Sequence, residues 1–204
     1  MNSTTAFYNT HAQEFSNSRF RIWKHVRDFL DSLPVGAKVL EIGCGNGKNM
    51  LYRGDLQMCG IDTSDSLVEI CAQKGLDVLC GDARALPFRD GCFDAIIMVA
   101  VIHHIHPDLH YGALEEIQRV LKPGGRCFIT NWATEQPADG KRVFHRGLNN
   151  VLWKGKESTP LPYWIMDKDD ARVFAQNMPP SLECSHITWD AGNWEFWIHK
   201  GGKN

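Results

Sequence analysis

Three glycines spaced two apart, Gly43, Gly45 and Gly47, follow the short apolar run KVLEI, and two acids end later apolar runs, Asp62 in LQMCGID and Asp82 in DVLCGD. A glycine turn after a strand lets a ligand approach the backbone, because no Cβ stands in the way. The spacing here is G-x-G-x-G; the dinucleotide fingerprint is G-x-G-x-x-G, and Lys48 stands where its last glycine would be. A phosphate-binding P-loop fails as well, since its Lys must be followed by Ser or Thr and Asn49 follows Lys48. Asp62 is placed to accept hydrogen bonds from a ribose diol, and Asp82 to meet an adenine amino group. Taken singly, the first could be a helix cap and the second a turn residue. On successive strand ends beside the glycine turn, they favour a nucleoside without phosphates.

Other side chains invite chemistry less directly. His103, His104, His106 and His110 lack a paired cysteine or acid at ligand spacing, so no metal site is expected of them. His103 and His104 are expected to close the fourth strand, where one touches substrate. Trp132 is either a platform for a base or an ordinary core residue. Cations gather at Arg19, Arg21, Lys24 and Arg27, and again at Lys141, Arg142, Arg146, Lys154 and Lys156. Such runs are either solvated faces or tracks for a nucleic-acid backbone.

The elements that would position these residues follow from periodicity. Phe20, Trp23, Val26, Leu30 and Leu33 recur every three or four residues, which predicts an amphipathic helix over 19–33 ending before Pro34 and Gly36. KVLEIG predicts a buried strand, then the glycine turn and a short helix. LQMCGID predicts a second strand, with Thr63 or Ser64 capping a helix that buries Leu67, Val68 and Cys71. DVLCGD gives a third strand, and the nearly continuous apolar run FDAIIMVAVIHH reads as a central parallel strand covered on both faces. A helix over about 108–121 stops at Lys122-Pro123-Gly124-Gly125, and RCFITNWA is the next strand. The stretch to about Tyr163 is irregular, a helix is expected near 168–176, and strands at 183–189 and 194–200 are joined through Gly192-Asn193. This alternation predicts an α/β fold, a doubly wound and mostly parallel sheet with a C-terminal antiparallel hairpin, and ligands outside the carboxyl ends of its strands.

The 204 residues carry 43% hydrophobic and 23% charged side chains, ordinary for a globular chain. No apolar run reaches the roughly 18 residues of a membrane span, and the N-terminus has neither a basic start nor an apolar stretch, so a cytoplasmic protein is expected. Seven cysteines without a C-x-x-C pair read as reduced, buried thiols. The formal charge of −2 gives no global pull toward nucleic acid.

VLEIGCGNG, GID, GDARALPF, FDAIIMVAVIHH and LKPGGR, in that order, resemble the successive motifs of the class I S-adenosylmethionine-dependent methyltransferases. The resemblance covers about 38–130 and implies a seven-stranded Rossmann-like sheet. It implies that Glu41, Gly43, Cys44 and Gly45 surround the methionine part of the cofactor, Asp62 the ribose, Asp82 and Ala83 the adenine, and Val99 to His103 the floor. FYNTHAQEFSNSRFRIW, AVIHH and NWATEQ are similar to signatures of the eukaryotic tRNA wobble-uridine methyltransferases that esterify 5-carboxymethyluridine, including the methyltransferase domain of AlkB-homologue fusions. Tyr8, Arg19 and Trp132 stand in those signatures. That family continues with Val-Pro-Trp and Arg-Tyr-Tyr-His elements, where this chain has NNVLWKGK and LPYWIM. The resemblance implies a tRNA anticodon stem-loop as substrate and a small zinc-binding activator subunit as partner.

A carboxymethyl acceptor, with a pKa of about 4, is already ionised at neutral pH and requires no general base. It needs alignment, for which Arg19, His103 and Trp132 are the candidates; Arg19 could equally bind the cofactor's own carboxylate. The expected organisation is one methyltransferase domain over 1–204, with a helical cap (1–36), a cofactor-binding core (37–132) and a substrate-side insertion with the final strands (133–204). The alternatives are a methyltransferase for a small carboxylic acid or other small molecule, and a non-catalytic cofactor-binding scaffold.

Overall fold

The structure, a computed structural model, describes residues 3–138, 143–151 and 160–202. Lys141, Arg142, Lys154 and Lys156 of the second cationic run lie outside the described residues. Seven strands form one sheet in the order β3-β2-β1-β4-β5-β9-β8: β1 (Lys38–Ile42), β2 (Gln57–Asp62), β3 (Val78–Cys80), β4 (Phe93–Val99), β5 (Leu121–Trp132), β8 (Leu182–Asp190) and β9 (Asn193–Lys200). The first five run parallel, and β9 is antiparallel to both β5 and β8. Strand order reverses between β1 and β4, which opens a crevice at the carboxyl ends of these two strands.

Both faces of the sheet are covered, as the unbroken apolar run of β4 requires. On one face Leu40, Ile96, Met98 and Ile129 pack with Leu114 and Ile117 of α4 (His110–Val120) and Phe174 of α5 (Lys168–Gln176). On the other, Val39, Ala95, Ile97 and Phe128 pack with Val26, Phe29 and Leu30 of α2 (Lys24–Asp31). α3 (Asp65–Gln73) makes the crossover from β2 to β3, begun by Ser64, whose Oγ accepts the amide of Leu67.

Five expectations are corrected. The helix expected over 19–33 begins only at Lys24: Trp23 is its extended N-cap, and Phe20 and Trp23 are exposed, so they do not belong to its buried stripe. A separate helix, α1 (Ser3–Ser18), precedes it with a kink at His11. The short helix expected after the glycine turn is a succession of turns, because Asn46 and Asn49 spend their side chains on local and cross-strand hydrogen bonds that compete with helix formation. The stretch expected to be irregular holds an antiparallel ribbon, β6 (Gly147–Val151) and β7 (Leu161–Ile165), which buries Leu161, Tyr163 and Ile165 against Phe7 of α1. Finally, the β8–β9 turn is centred on Ala191 and Gly192, both at positive φ as a mirror-image hairpin turn demands, with Asn193 already paired to Asp190. The Lys-Pro-Gly-Gly segment lies inside β5 as an irregularity, with Leu121 pairing to Phe93 before the register shifts to Arg126 opposite Ala95.

Phe128 is fully buried between Phe29 (ring centroids 5.6 Å) and Trp197 (4.8 Å), and it ties α2 to the β5–β9 junction. Phe128→Ala is expected to cost about 3–5 kcal/mol of stability, read by urea denaturation as a lower midpoint; a loss below about 1 kcal/mol would show that this face carries little of the fold.

Candidate functional site

The carboxyl ends of β1, β2, β4 and β5 open into a cleft of about 1200 Å³, roofed by α1 and walled by β7 and the β8–β9 turn. The glycine turn bends here because Gly43 has φ +68° and a Cβ at that position would collide with the Val101 side chain. Gly45, at φ +56°, leaves room for the Phe15 ring, which a Cβ would approach to 3.2 Å. Cys44 is buried between them, its thiol pushed up by a hydrogen bond with Cys71 and by burial, so it is a packing residue here.

Two buried carboxylates stand at the turn. Asp62, at the end of β2, accepts the amide of Gly45 on Oδ2 and that of Ser64 on Oδ1, each at 2.9 Å. Burial raises its pKa against the pull of those hydrogen bonds. Glu41, at the end of β1 and 2% exposed, accepts a 2.6 Å hydrogen bond from Asn49 Nδ2 on Oε1. Burial pushes its carboxyl up to about 7, opposed by Lys48. Glu41 Oε2 and Asn49 Oδ1 are buried acceptors with no donor. Such orphaned oxygens are costly unless a ligand supplies the donors, and the amino-acid ammonium of S-adenosylmethionine carries three.

Asp82 follows β3, and its carboxylate is gripped by Arg84, whose Nε donates to Oδ1 at 2.9 Å and Nη2 to Oδ2 at 2.6 Å. Arg84 holds its pKa below the usual carboxylate range. Ala83 beside it is buried against Leu86 in the core, and both Asp82 and Ala83 line the cleft. Val99 ends β4, and Ala100 after it takes φ +57°, an uncommon conformation for alanine, while its amide donates to Thr130 Oγ1 at 2.8 Å. That strained peptide turns the chain into the 3-10 turn Ile102–His104 and carries His103 and His104 into the cleft.

The roof is bound by side chains. Thr5 Oγ1 donates to Thr63 Oγ1 at 3.1 Å, Ser64 Oγ to Asn9 Oδ1 at 2.6 Å, and Tyr8 Oη lies 3.1 Å from His104 Nε2. Asn46 of the glycine turn donates from Nδ2 to the carbonyls of Ser16 (3.1 Å) and Arg19 (2.7 Å), fixing the end of α1 over the turn. Arg19 lines the cleft with its guanidinium 5.6 Å from the Phe15 ring centroid, and among the described residues it has no carboxylate partner.

Opposite lies an aromatic wall. Trp132 stacks on Tyr163 (4.6 Å) and Phe144 (5.3 Å), and His103 packs on Trp132 and Tyr163. Burial keeps His103 neutral, and its buried Nδ1 lacks a partner; His104 is pushed down to about 4 by burial. The histidines of this segment then diverge, since His110 turns to the carbonyls of Ile102 and Ile105 and His106 packs on Trp164. Among the described residues, the group whose ligand atoms do approach one another is His25, Asp190 and Glu195, where His25 Nδ1 and Glu195 Oε1 share a 2.6 Å hydrogen bond.

The structure thus gathers Tyr8, Arg19, Glu41, Gly43, Gly45, Asp62, Asp82, Val99, His103 and Trp132 around one cleft. Sequence reasoning missed Asn46, Asn49 and Tyr163. One Asn inside the glycine turn and another just after it, in place of helix-forming residues, were the available signal for the first two; Tyr163 lay in a ribbon with no clear period.

The sequence matches the family model described as a methyltransferase domain over residues 40–129. It is 45% identical over 130 residues, 63% of this chain, to a tRNA (carboxymethyluridine(34)-5-O)-methyltransferase of Arabidopsis thaliana, of which it covers 32%. It is 30% identical over 178 residues, 85% of this chain, to the Saccharomyces cerevisiae protein of the same name, of which it covers 60%. The chain therefore spans less than two thirds of the length of these relatives. A solved complex between the Haloferax volcanii Trm112 methyltransferase activator and a putative methyltransferase matches with a TM-score of 0.72 at 18% identity, over 99% of each chain, which shows the shared fold. Strand order and the glycine turn with its two carboxylates thus stand together with a sequence match to a methyltransferase domain over residues 40–129.

Proposed function

We propose that the protein methylates the carboxymethyl group of a wobble uridine in tRNA, forming the methyl ester. The observation that carries this reading is Arg19: a cation without a carboxylate partner among the described residues, held over the cofactor turn by Asn46, in a chain 45% identical over 130 residues to a protein named for that reaction. S-adenosylmethionine supplies an electrophilic methyl group on a sulfonium. The chain's own task is to hold donor and acceptor in line and keep water out. Glu41 and Asn49 receive the cofactor ammonium, Asp62 the ribose diol, Asp82 and Ala83 the adenine edge, and Tyr8 closes the roof. Arg19 orients the acceptor carboxylate; neutral His103 and Trp132 shape the opposite wall. No side chain is assigned as a general base, because the acceptor is already an anion.

Further supports come from the surface. β3 is an edge strand with Leu79 and Cys80 exposed, a site suited to a small zinc-binding activator that adds to the sheet. Arg19 and Arg21 border the cleft mouth, and the exposed Arg27 follows one helical turn after Trp23 of the same wall, where they can meet the phosphates of an anticodon stem-loop. We treat 1–204 as one domain working in the cytoplasm; among the described residues no helix is long and apolar enough to cross a membrane.

Incubation with labelled cofactor, with and without a co-purified activator, should place base-labile label in tRNA lacking the ester and none in a panel of small carboxylic acids. The rate should fall steeply with salt. Absence of label in tRNA with activator present would sink the reading. Asp62→Ala should lose at least about tenfold in cofactor affinity by calorimetry, since a buried acceptor of hydroxyl donors is removed; unchanged affinity would remove Asp62 from the ribose site. Glu41 supplies a pH test. Its free carboxyl holds a proton up to about 7, and a bound ammonium favours the ionised form. Cofactor affinity should therefore rise with pH and level off above about 7, with proton release measurable near about pH 6 in buffers of different ionisation heat. Glu41→Gln should abolish the release, and a parent enzyme that takes up protons on binding would reverse the assignment.

A further inference from the structure

Between α1 and α2 the backbone of 19–23 is not helical, and it carries two aromatic rings outward: Phe20 is 73% exposed and Trp23 39%. Single exposed apolar side chains are ordinary on any protein. Here both lie on the wall of the cofactor cleft, interleaved with Arg19, Arg21 and Lys24 of the same wall. Lys24 is paired with Asp28 at 2.6 Å, whereas Arg21 and the exposed Arg27 have no carboxylate partner among the described residues. The Arg21 guanidinium lies 6.0 Å from the Phe20 ring centroid, so charge travels with the ring.

The position of this segment is set from within. Asn46, 5% exposed, grips the carbonyls of Ser16 and Arg19 immediately before it, and the same turn carries the amide that Asp62 holds. The rings thus stand at a distance from the methyl donor that the glycine turn itself fixes. Inside the cleft, Trp132, Tyr163, Phe144 and His103 already pack on one another. The rim rings are the exposed ones.

We propose that Phe20 and Trp23 form a stacking platform for unpaired nucleotides that flank the methylated one, with Arg21 and Arg27 taking the adjoining phosphates. This rests on the reading that the acceptor is a nucleotide in an RNA loop. Every base offers a π-face, so stacking holds a single strand whatever its sequence, and alternating rings and guanidiniums match alternating bases and phosphates. An apolar protein segment on the same rim would bury Arg21 without a counter-charge. Single-stranded RNA is the occupant that satisfies both features.

The test is binding of a fluorescent anticodon stem-loop to the full chain, alone and with its co-purified activator, followed by anisotropy. Phe20→Ala and Trp23→Ala should each weaken binding about tenfold. Phe20→Tyr should keep parental affinity, and Phe20→Leu, apolar but without a π-face, should lose as much as alanine. Cofactor affinity by calorimetry should stay within about twofold of the parent in every variant, which a merely structural role would not permit. Arg21→Gln should lower the slope of log affinity against log salt by about 1, while Phe20→Ala leaves it unchanged. Trp23 also begins α2, so the Phe20 series decides. The platform is overturned if Phe20→Leu binds as well as Phe20→Tyr, or if both alanine variants bind like the parent. A parent that binds the stem-loop, with these variant effects, yet transfers no methyl to tRNA would remove the proposed activity and leave the platform. A parent that transfers methyl while the variants bind unchanged would do the reverse, and a parent that does not bind the stem-loop removes both.

Discussion

One buried carboxylate joins the parts of this molecule that must not move relative to one another. Asp62 accepts the amide of Gly45 with one oxygen and that of Ser64 with the other, so a single anion ties the glycine turn after β1 to the start of α3 after β2. Burying a charge is expensive unless hydrogen bonds replace the lost water, and the raised pKa of Asp62 records a balance in which burial still outweighs the two amides. The remaining acceptor capacity of that carboxylate faces the cleft. An anion that builds the turn is thereby also available to a ligand's hydroxyl groups.

The same junction supports the roof. Ser64, next to the amide held by Asp62, donates to Asn9, and Thr63 accepts from Thr5, so α1 rests on the end of β2 through short polar side chains. On its far side Phe7 packs into the β6–β7 ribbon, and Tyr8 meets His104 on the segment that the strained Ala100 peptide redirects. Sheet, roof and ribbon meet around Tyr8, whose phenol burial pushes well above its ordinary range, so it stays a neutral donor.

The sheet and its ligand turn were readable because their residues obey local rules. β1 and β4 are apolar runs of strand length, and α5 has a capping box between Asp167 and Asp170 that marks its start. α1 escaped because part of its buried side is polar: Thr4 and Thr5 are both buried, Thr5 bonded to the distant Thr63, and no apolar stripe announces them. The ribbon escaped because β6 is the sequence GLNNV, whose partner strand lies ten residues further on. The periodic apolar residues at 20 and 23 pointed to a longer helix, since spacing alone cannot distinguish a ring that is buried from one held out at a cleft mouth. For the site, the acids and glycines were legible by type and spacing, whereas Asn46 and Asn49 gained their roles only from where the turn sends them.

The succession of turns after Gly47 has a bearing on which nucleotides are refused. Dinucleotide and triphosphate sites place phosphate against aligned amides at the start of a helix, where the peptide dipoles add to a partial positive charge. Here no such helix follows, and the charges at the turn are the carboxylates of Glu41 and Asp62, with the Lys48 ammonium set against Glu41 and the Arg19 guanidinium above. A polyphosphate at this turn would find two carboxylates and no helix dipole, while an ammonium would find acceptors without donors in Glu41 Oε2 and Asn49 Oδ1. The turn thus offers an entering adenosine compound buried acceptors in place of a helix dipole.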